Sequence, residues 1–291
     1  MTKIAIAGDL HIKENVRSRT DDYFNACLSK IDKYLKDNDY LIILGDFFHT
    51  PSIQIEYINQ IIYSLDKYRG RIFTILGNHD AYYRTLNLDK TAIGLLNNVG
   101  IVNLKLDTFL IDGVSFDVAS VVPELKLPEK KSDILLGHFY LDNNLAPKES
   151  LKLSDLKEYR TVILGHDHAP YNPVVTEMTT IYRNGSSSRV DSQSYNLDRD
   201  EIVYVQIDNG VIKLKSIKVS SPESIFTVET LNKPLQKVKC DFKNLENLIS
   251  NFKVKESNTD MSTLKVLKEL ETPEECIDYL QVVHESLGLK F

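Results

Sequence analysis

Residues 73–80 read Phe-Thr-Ile-Leu-Gly-Asn-His-Asp, a short apolar run that a glycine ends and that polar side chains follow. The same design recurs elsewhere: IAIA before Gly8, LIIL before Gly45, DILL before Gly137 and TVIL before Gly165. Short apolar runs of this kind, rich in β-branched residues, are typical of strands buried on both faces of a sheet. We therefore predict five buried strands, each followed by a turn that carries polar residues.

Two helices are predicted between the first three strands. Apolar residues recur at helical spacing over residues 21–36 and again over residues 53–68. Alternation of strand and helix favours a parallel sheet with right-handed crossovers. Ligands of such sheets bind at the edge where the strands end, so we expect the polar motifs to gather at one edge of the sheet.

The pattern changes after residue 168. Shorter β-like segments follow at residues 173–177, 180–183, 201–207 and 211–219, and Asp208-Asn209-Gly210 joins the last two as a hairpin turn. From about residue 221 the chain is rich in Lys, Glu and Asn, with helix-like runs at residues 245–252, 261–270 and 274–287. We predict a large domain over residues 1–220 and a small separate unit over residues 221–291.

Composition restricts the location of the protein and its mode of binding. No apolar stretch approaches the roughly 18 residues that cross a bilayer, and the three cysteines are far apart without a C-x-x-C motif, which favours the reducing cytoplasm. The net charge of -6 argues against a protein that grips nucleic acid through overall positive charge. Two bound divalent cations would reverse the sign locally by adding about four positive charges.

The strand-ending turns hold almost all of the histidines. Six of the seven lie there: His11, His49, His79, His138, His166 and His168. The same turns carry Asp9, Asp46, Asn78 and Asp80. Imidazole, carboxylate and amide ligands without thiolate suit manganese, iron or zinc.

The spacing of these residues suits two ions. Asp9 and His11 leave an extended turn on the same side and can clasp one metal, while the two oxygens of Asp46 can bridge a pair of ions about 3.5–4 Å apart. His166 and His168 can each serve a different ion, with Asn78 and His138 completing the set. Two such ions turn water into a nucleophile toward phosphorus and neutralise charge on the phosphate oxygens.

His79 and His49 stand outside this ligand set. His79 is free to stabilise the transition state or to protonate the leaving oxygen, with Asp80 orienting its ring. For His49 two interpretations remain open, a site residue and a turn histidine whose hydrogen bonds are satisfied locally.

Together the motifs resemble the calcineurin-like metallophosphoesterase superfamily over residues 1–220. G-N-H-D in place of G-N-H-E, and the lack of arginine between Asp46 and Tyr68, make the chain more similar to the SbcD nuclease group than to phosphoprotein phosphatases. The segments GDFFHTPS at residues 45–52 and YRNGSSSR at residues 182–189 also resemble that group. The resemblance implies an α/β (α+β) fold, a four-layer αββα sandwich with a small C-terminal appendage.

The resemblance also implies roles for single residues. One manganese ion would be held by Asp9, His11, Asp46 and His168, and the other by Asp46, Asn78, His138 and His166. His79 would be the catalytic histidine, and His49 would help to orient the substrate. Iron, zinc and magnesium remain open as alternatives to manganese.

The implied function is cleavage of DNA together with an SbcC-like coiled-coil ATPase. The compressed stretch between Asp80 and His138 resembles phage recombination endonuclease subunits, for which the location would be the host cytoplasm. A cap, an ATPase-docking unit and a dimerising element all remain open for residues 221–291. The alternative function is a phosphodiesterase or phosphatase for small nucleotides, which the acidic charge would suit.

Overall fold

The computed structural model of the protein describes residues 2–16, 19–143, 145–183, 185–190, 200–208, 211–218 and 225–226. The α-helices in these ranges are α1 Tyr23–Asp37, α2 Ile55–Leu65 and α3 Ala92–Asn98. The strands are β1 Thr2–Ala7, β2 Tyr40–Ile43, β3 Ile72–Ile75, β4 Asn103–Lys105, β5 Phe109–Ile111, β6 Val114–Ser120, β7 Ile134–His138, β8 Tyr140–Leu141, β9 Ser150–Leu151, β10 Thr161–Gly165, β11 Tyr171–Val175, β12 Thr180–Arg183, β13 Asp200–Asp208 and β14 Val211–Lys218.

The first sheet contains the first three motif strands. Its order is β14-β13-β1-β2-β3-β4, with β1 to β4 parallel and β13 antiparallel to β1. The predicted parallel arrangement of β1, β2 and β3 is confirmed, and so is the predicted hairpin of β13 and β14. The helices α1 and α2 match the two predicted helices to within a few residues.

The second sheet holds the other two motif strands. Its order is β11-β12-β10-β7-β6-β5, with β6, β7, β10 and β12 parallel. The prediction that all motif strands end at the edge of one sheet is therefore wrong. The cause is the β5–β6 hairpin, which turns at Asp112 (φ 46°) and Gly113 (φ 83°) and whose strand β6 pairs with β7 instead of joining the first sheet.

Alternate residues of the central strands enter two different cores. Ile4 and Ile6 of β1 pack between the sheets, in a buried cluster that includes Phe116 and Ile163 of the second sheet. Ala5 and Ala7, on the opposite face of β1, join a cluster with the buried residues of the helices. Because both faces are covered, the strands are apolar throughout, as the sequence pattern indicated.

Few helices cover the sheets. Leu156, in a 3-10 turn at Leu153–Leu156, belongs to the same buried cluster as Leu135 and Val162 of the second sheet. In the described part of the chain this side carries short turns and loops in place of α-helices. The predicted α/β fold with two packed sheets is confirmed.

The described residues all lie within one compact unit, Met1–Lys233. Within it, Phe226 is buried and forms an antiparallel bridge with Arg19. Apart from residues 225–226, the predicted C-terminal unit and its helix-like runs lie outside the described residues, so the boundary near residue 220 stays a prediction. In the ranges that the structure covers, no helix is long and apolar enough to cross a membrane.

Candidate metal centre

The motif turns of the two sheets are bonded to one another. The Asp9 carboxylate, which follows β1, accepts the backbone N–H of His166, which follows β10, at 3.2 and 3.0 Å. His138, the last residue of β7, donates from Nδ1 to the carbonyl oxygen of Leu44, next to the end of β2, at 2.7 Å. These bonds bring side chains from distant parts of the sequence into one centre.

Atoms approach the strand-ending glycines too closely for a side chain, as Gly45 and Gly77 show. A Cβ on Gly45, whose φ is +86°, would lie 2.5 Å from Nδ1 of His138. A Cβ on Gly77 would lie 2.1 Å from both the backbone nitrogen and Oδ1 of Asp46. Neither space can hold a methyl group, so glycine at these turns is what lets the ligand residues converge.

Three of the candidate ligands have strained backbones. The φ angles are 48° at His11, 47° at Asp46 and 76° at His166. Residues other than glycine rarely adopt this left-handed region, at a cost of roughly 1–2 kcal/mol each. Such strain clusters at functional sites, where the surrounding structure maintains it.

A first group of ligand atoms forms around His11. Ligand atoms of His11, Asp46 and His168 all lie within 4.8 Å of one another. Nε2 of His11 is 2.8 Å from Nε2 of His168 and 3.6 Å from Oδ2 of Asp46. His11, His49 and His79 form an overlapping set within the same distance.

A second group forms around His138. It contains Asp46, His138 and His166, again within 4.8 Å. Nε2 of His138 is 3.5 Å from Oδ2 of Asp46, 3.1 Å from Nδ1 of His166 and 3.1 Å from Oδ1 of Asn78. Asp46 therefore belongs to both groups, which is the arrangement that a bridging carboxylate needs.

The hydrogen-bond chemistry of the second group fits a cation. The carbonyl of Leu44 only accepts, so Nδ1 of His138 carries a proton and Nε2 is the nitrogen left to bind a metal. Nε2 faces the carbonyl oxygen of Asn78 at 3.1 Å. A proton on Nε2 satisfies this contact without a metal, a cation can replace that proton, and oxygen and imidazole ligands suit a divalent metal ion.

The centre is electrostatically negative. Burial raises the pKa of the Asp46 carboxyl, but the imidazole of His138 outweighs burial and holds this pKa below its ordinary value. Burial lowers the pKa of His11 to about 3, which leaves its ring neutral and able to bind a metal. For His138, burial lowers the pKa, but the carboxylates of Asp46 and Asp9 outweigh it and raise the pKa well above its usual value. The centre thus attracts positive charge.

Asp9 lies beside the two groups. Its carboxylate is 3.4 Å from Nδ1 of His138, besides accepting the backbone N–H of His166. Its carbonyl oxygen accepts from the hydroxyl of Ser186, within the YRNGSSSR segment, at 2.9 Å. The structure brings the other predicted ligands together and places Asp9 against His138 and His166, so the role of Asp9 as a ligand stays a prediction.

The structure gives Asp80 a different role from the predicted one of orienting the ring of His79. The buried Asp80 carboxylate accepts three backbone N–H groups, at 3.2, 3.0 and 3.1 Å, from Phe47, Phe48 and Gly77. The ring of His79 is oriented by the carbonyl of His49, which accepts from Nδ1 at 2.7 Å. Asp80 therefore ties the turn after β3 to the turn after β2.

His49 lies inside the centre. Its ring stacks on that of His79, with centroids 5.4 Å apart and an interplanar angle of 25°. Its Nδ1 is buried and has no hydrogen-bond partner among the described residues. Burial, reinforced by the charge of Lys13, lowers the pKa of His49 to about 4. These observations favour the site residue over the locally satisfied turn histidine.

Two residues at the centre were not predicted from the sequence. The Glu149 carboxylate accepts from Nε2 of His166 at 2.9 Å, and the ring of Tyr140 packs on His166 with centroids 4.1 Å apart. Neither follows a strand-ending glycine directly, and no motif marks them. The only sequence signal for Tyr140 and Glu149 is that both follow β7, the strand that ends at His138.

The chain matches a family model and is similar to several solved structures at low sequence identity. The family model of calcineurin-like phosphoesterases matches residues 2–170. Solved structures similar to this chain include a hypothetical protein from Thermus thermophilus, at 12% identity and a TM-score of 0.47, covering 76% of this chain and 100% of that chain. A phosphatase from Mycoplasma pneumoniae has 12% identity and a TM-score of 0.44, covering 80% and 97%. An archaeal phosphodiesterase has 15% identity and a TM-score of 0.41, covering 75% and 100%. No curated protein matches the chain significantly.

Proposed function

Since the chain belongs to the calcineurin-like phosphoesterases, a family of metal-dependent enzymes that hydrolyse phosphoesters, we propose that it cleaves phosphodiester bonds in DNA as an SbcD-like nuclease. The proposed cofactors are two manganese ions, as the resemblance to the SbcD nuclease group implies, and the ligand groups offer the nitrogen and oxygen atoms, without thiolate, that suit manganese, iron or zinc. The proposed partner is an SbcC-like coiled-coil ATPase. Residues 221–291 are the proposed docking segment for that partner, with a cap or a dimerising element as the alternatives.

The observation that carries the proposal is the position of His49. Its ring stacks on His79 beside the ligand atoms of His11, and it belongs to the same GDFFHTPS segment that resembles the nuclease group. A histidine at this place can contact a phosphate on one side of the scissile bond. An extended substrate such as DNA has phosphates on both sides.

Exposed aromatic residues next to the centre also suit a nucleic-acid substrate. Tyr82 and Tyr83 follow His79 and Asp80 closely, and they are 37% and 91% exposed. Their ring centroids lie 6.5 Å apart. Unpaired bases stack on exposed aromatic rings irrespective of sequence, so this pair can receive bases near the cleaved bond.

The side chains divide the work of hydrolysis. When bound, two divalent cations supply a nucleophile from water and neutralise charge on the phosphate oxygens. Asp9, His11, Asp46 and His168 would hold one cation, and Asp46, Asn78, His138 and His166 the other. Nδ1 of His79 donates to the carbonyl of His49, so its Nε2 is the atom that can exchange a proton with the leaving oxygen.

The alternative function is hydrolysis of small nucleotides. The net charge of -6 favours it, because a protein that binds long DNA usually offers more positive charge. A small substrate would depend on the metal ions and His79 but not on contacts along a strand. The two functions therefore differ in what His49 contributes.

The deciding experiment compares three substrates in Mn²⁺: linear DNA, a cyclic dinucleotide and a small aryl phosphodiester. We expect the wild type to degrade DNA, and His49→Ala to lose about tenfold or more of that activity while keeping hydrolysis of the aryl ester. Thr50→Ala is the matched control, because Thr50 is the exposed neighbour whose hydroxyl donates within its own turn, to the carbonyl of Ser52 at 2.7 Å. Asp46→Asn serves as the blank. Turnover of the cyclic dinucleotide far above that of DNA would favour the alternative and overturn the nuclease proposal.

A further inference from the structure

Glu149 lies outside every motif yet contacts a candidate metal ligand. It ends the 3-10 turn Pro147–Glu149, and its Oε2 is 2.9 Å from Nε2 of His166. We propose that Glu149 is a positioning residue that fixes the ring of His166 so that Nδ1 faces the second ligand group. The inference goes beyond the proposed function, because it holds for any phosphoester substrate.

The argument begins with which nitrogen carries the proton. A carboxylate only accepts, so the His166 nitrogen that contacts Glu149 must be Nε2–H. The neutral ring then presents its lone pair at Nδ1, and this atom is 3.1 Å from Nε2 of His138. Without Glu149 the proton could occupy either nitrogen, and only one of the two tautomers can bind a cation through Nδ1.

Glu149 is itself held in place. Arg84 forms an ion pair with its other carboxylate oxygen, Oε1. The next residue, Ser150, begins β9, which pairs with β8 through Tyr140. The ring of Tyr140 packs on His166 at 4.1 Å, so the same small sheet fixes one face of the imidazole and its Nε2.

The arrangement is asymmetric between the two ligand groups. Glu149 contacts His166, which belongs to the second group with Asp46 and His138. The first group is completed by His11 and His168, whose Nε2 atoms face each other at 2.8 Å. A change at Glu149 should therefore weaken the binding of one of the two metal ions and leave the binding of the other unchanged.

The test is calorimetric titration of metal-free protein with Mn²⁺. We expect Glu149→Ala to weaken one of two binding steps by roughly 10–100-fold, the usual effect of losing an outer carboxylate on a histidine ligand, and to leave the other step unchanged. Glu149→Gln should restore most of the affinity, because its amide oxygen still accepts from Nε2. Glu158→Ala, at an exposed glutamate, is the matched control and should bind as the wild type.

A second readout separates positioning from a general loss of structure. In metal-free protein labelled with ¹⁵N-histidine, the His166 signals, assigned by their loss in His166→Asn, should show the Nε2–H tautomer in the wild type and Glu149→Gln. Glu149→Ala should show a mixture. Two unchanged binding steps in Glu149→Ala, an equal loss of both, or a wild-type tautomer with weakened metal binding would each overturn the proposal.

Discussion

Replacing Asp80 tests whether this carboxylate is structural or chemical. Oδ2 accepts the N–H groups of Phe47 and Gly77, while Oδ1 accepts that of Phe48. Asparagine keeps one carbonyl oxygen, which can retain two of these bonds, but its amide N–H must face the third donor. Since a buried unsatisfied donor costs about 1–3 kcal/mol, we expect that loss for Asp80→Asn. Asp80→Ala removes the acceptor for all three donors and should cost at least about 3 kcal/mol.

The assay is the melting temperature in excess chelator, so that metal binding makes no contribution. For a domain of 150–250 residues, each 1 kcal/mol corresponds to about 2–4 °C, so the alanine variant should melt at least roughly 6 °C below the wild type. Asp89→Ala, at an exposed position, should stay within about 0.5 kcal/mol of it. His79→Ala should lose turnover and keep its melting temperature. If both Asp80 variants have the melting temperature of the wild type but lose turnover, Asp80 acts in the chemistry and its proposed structural role is contradicted.

Two further changes test the geometry of the centre. Asp46→Asn removes the carboxylate shared by both ligand groups, so we expect it to bind fewer than two Mn²⁺ per chain, measured by elemental analysis after gel filtration; retention of two ions would contradict the bridging role. Gly77→Ala places a Cβ 2.1 Å from the backbone nitrogen of Asp46. We expect it to lower the free energy of unfolding by about 1–3 kcal/mol or more, measured by urea denaturation, and to weaken Mn²⁺ binding. Gly70→Ala, where a Cβ meets nothing within 4 Å but φ is +82°, should cost only about 1 kcal/mol and leave metal binding intact; equal effects of the two alanines on metal binding would refute the steric argument.

The parts of the fold that could be predicted are those in which local pattern and tertiary position agree. Residues 4–7 and 41–44 are apolar because both faces of β1 and β2 are covered, and the glycine after each run is required by close approach. A short apolar run ended by glycine therefore reports both the strand and the location of the turn. The antiparallel pairing of β13 and β14 was likewise predictable, from Asp208-Asn209-Gly210 in the sequence between the two runs.

The division into two sheets could not be read from the same pattern. β7 and β10 have the same short apolar runs as β1, but they belong to another sheet because β6 pairs with β7. The signal that was missed is Asp112-Gly113 between two short runs, a hairpin turn that begins a new antiparallel pair. A local sequence pattern predicts that a segment forms a strand. The order of strands in a sheet depends on pairing between segments that are distant in the sequence.

The orientation of the ligands lies further from the sequence than their identity. His138 and His79 are each held by a backbone carbonyl, of Leu44 and His49, and a carbonyl is present whatever the residue type. No pattern of side chains can therefore reveal these partners. Glu149 differs, because it orients His166 through a side chain that a single substitution can remove. Of the two candidate ligands among these histidines, His138 and His166, His166 is therefore the one whose metal affinity a substitution at its partner can change without moving the backbone.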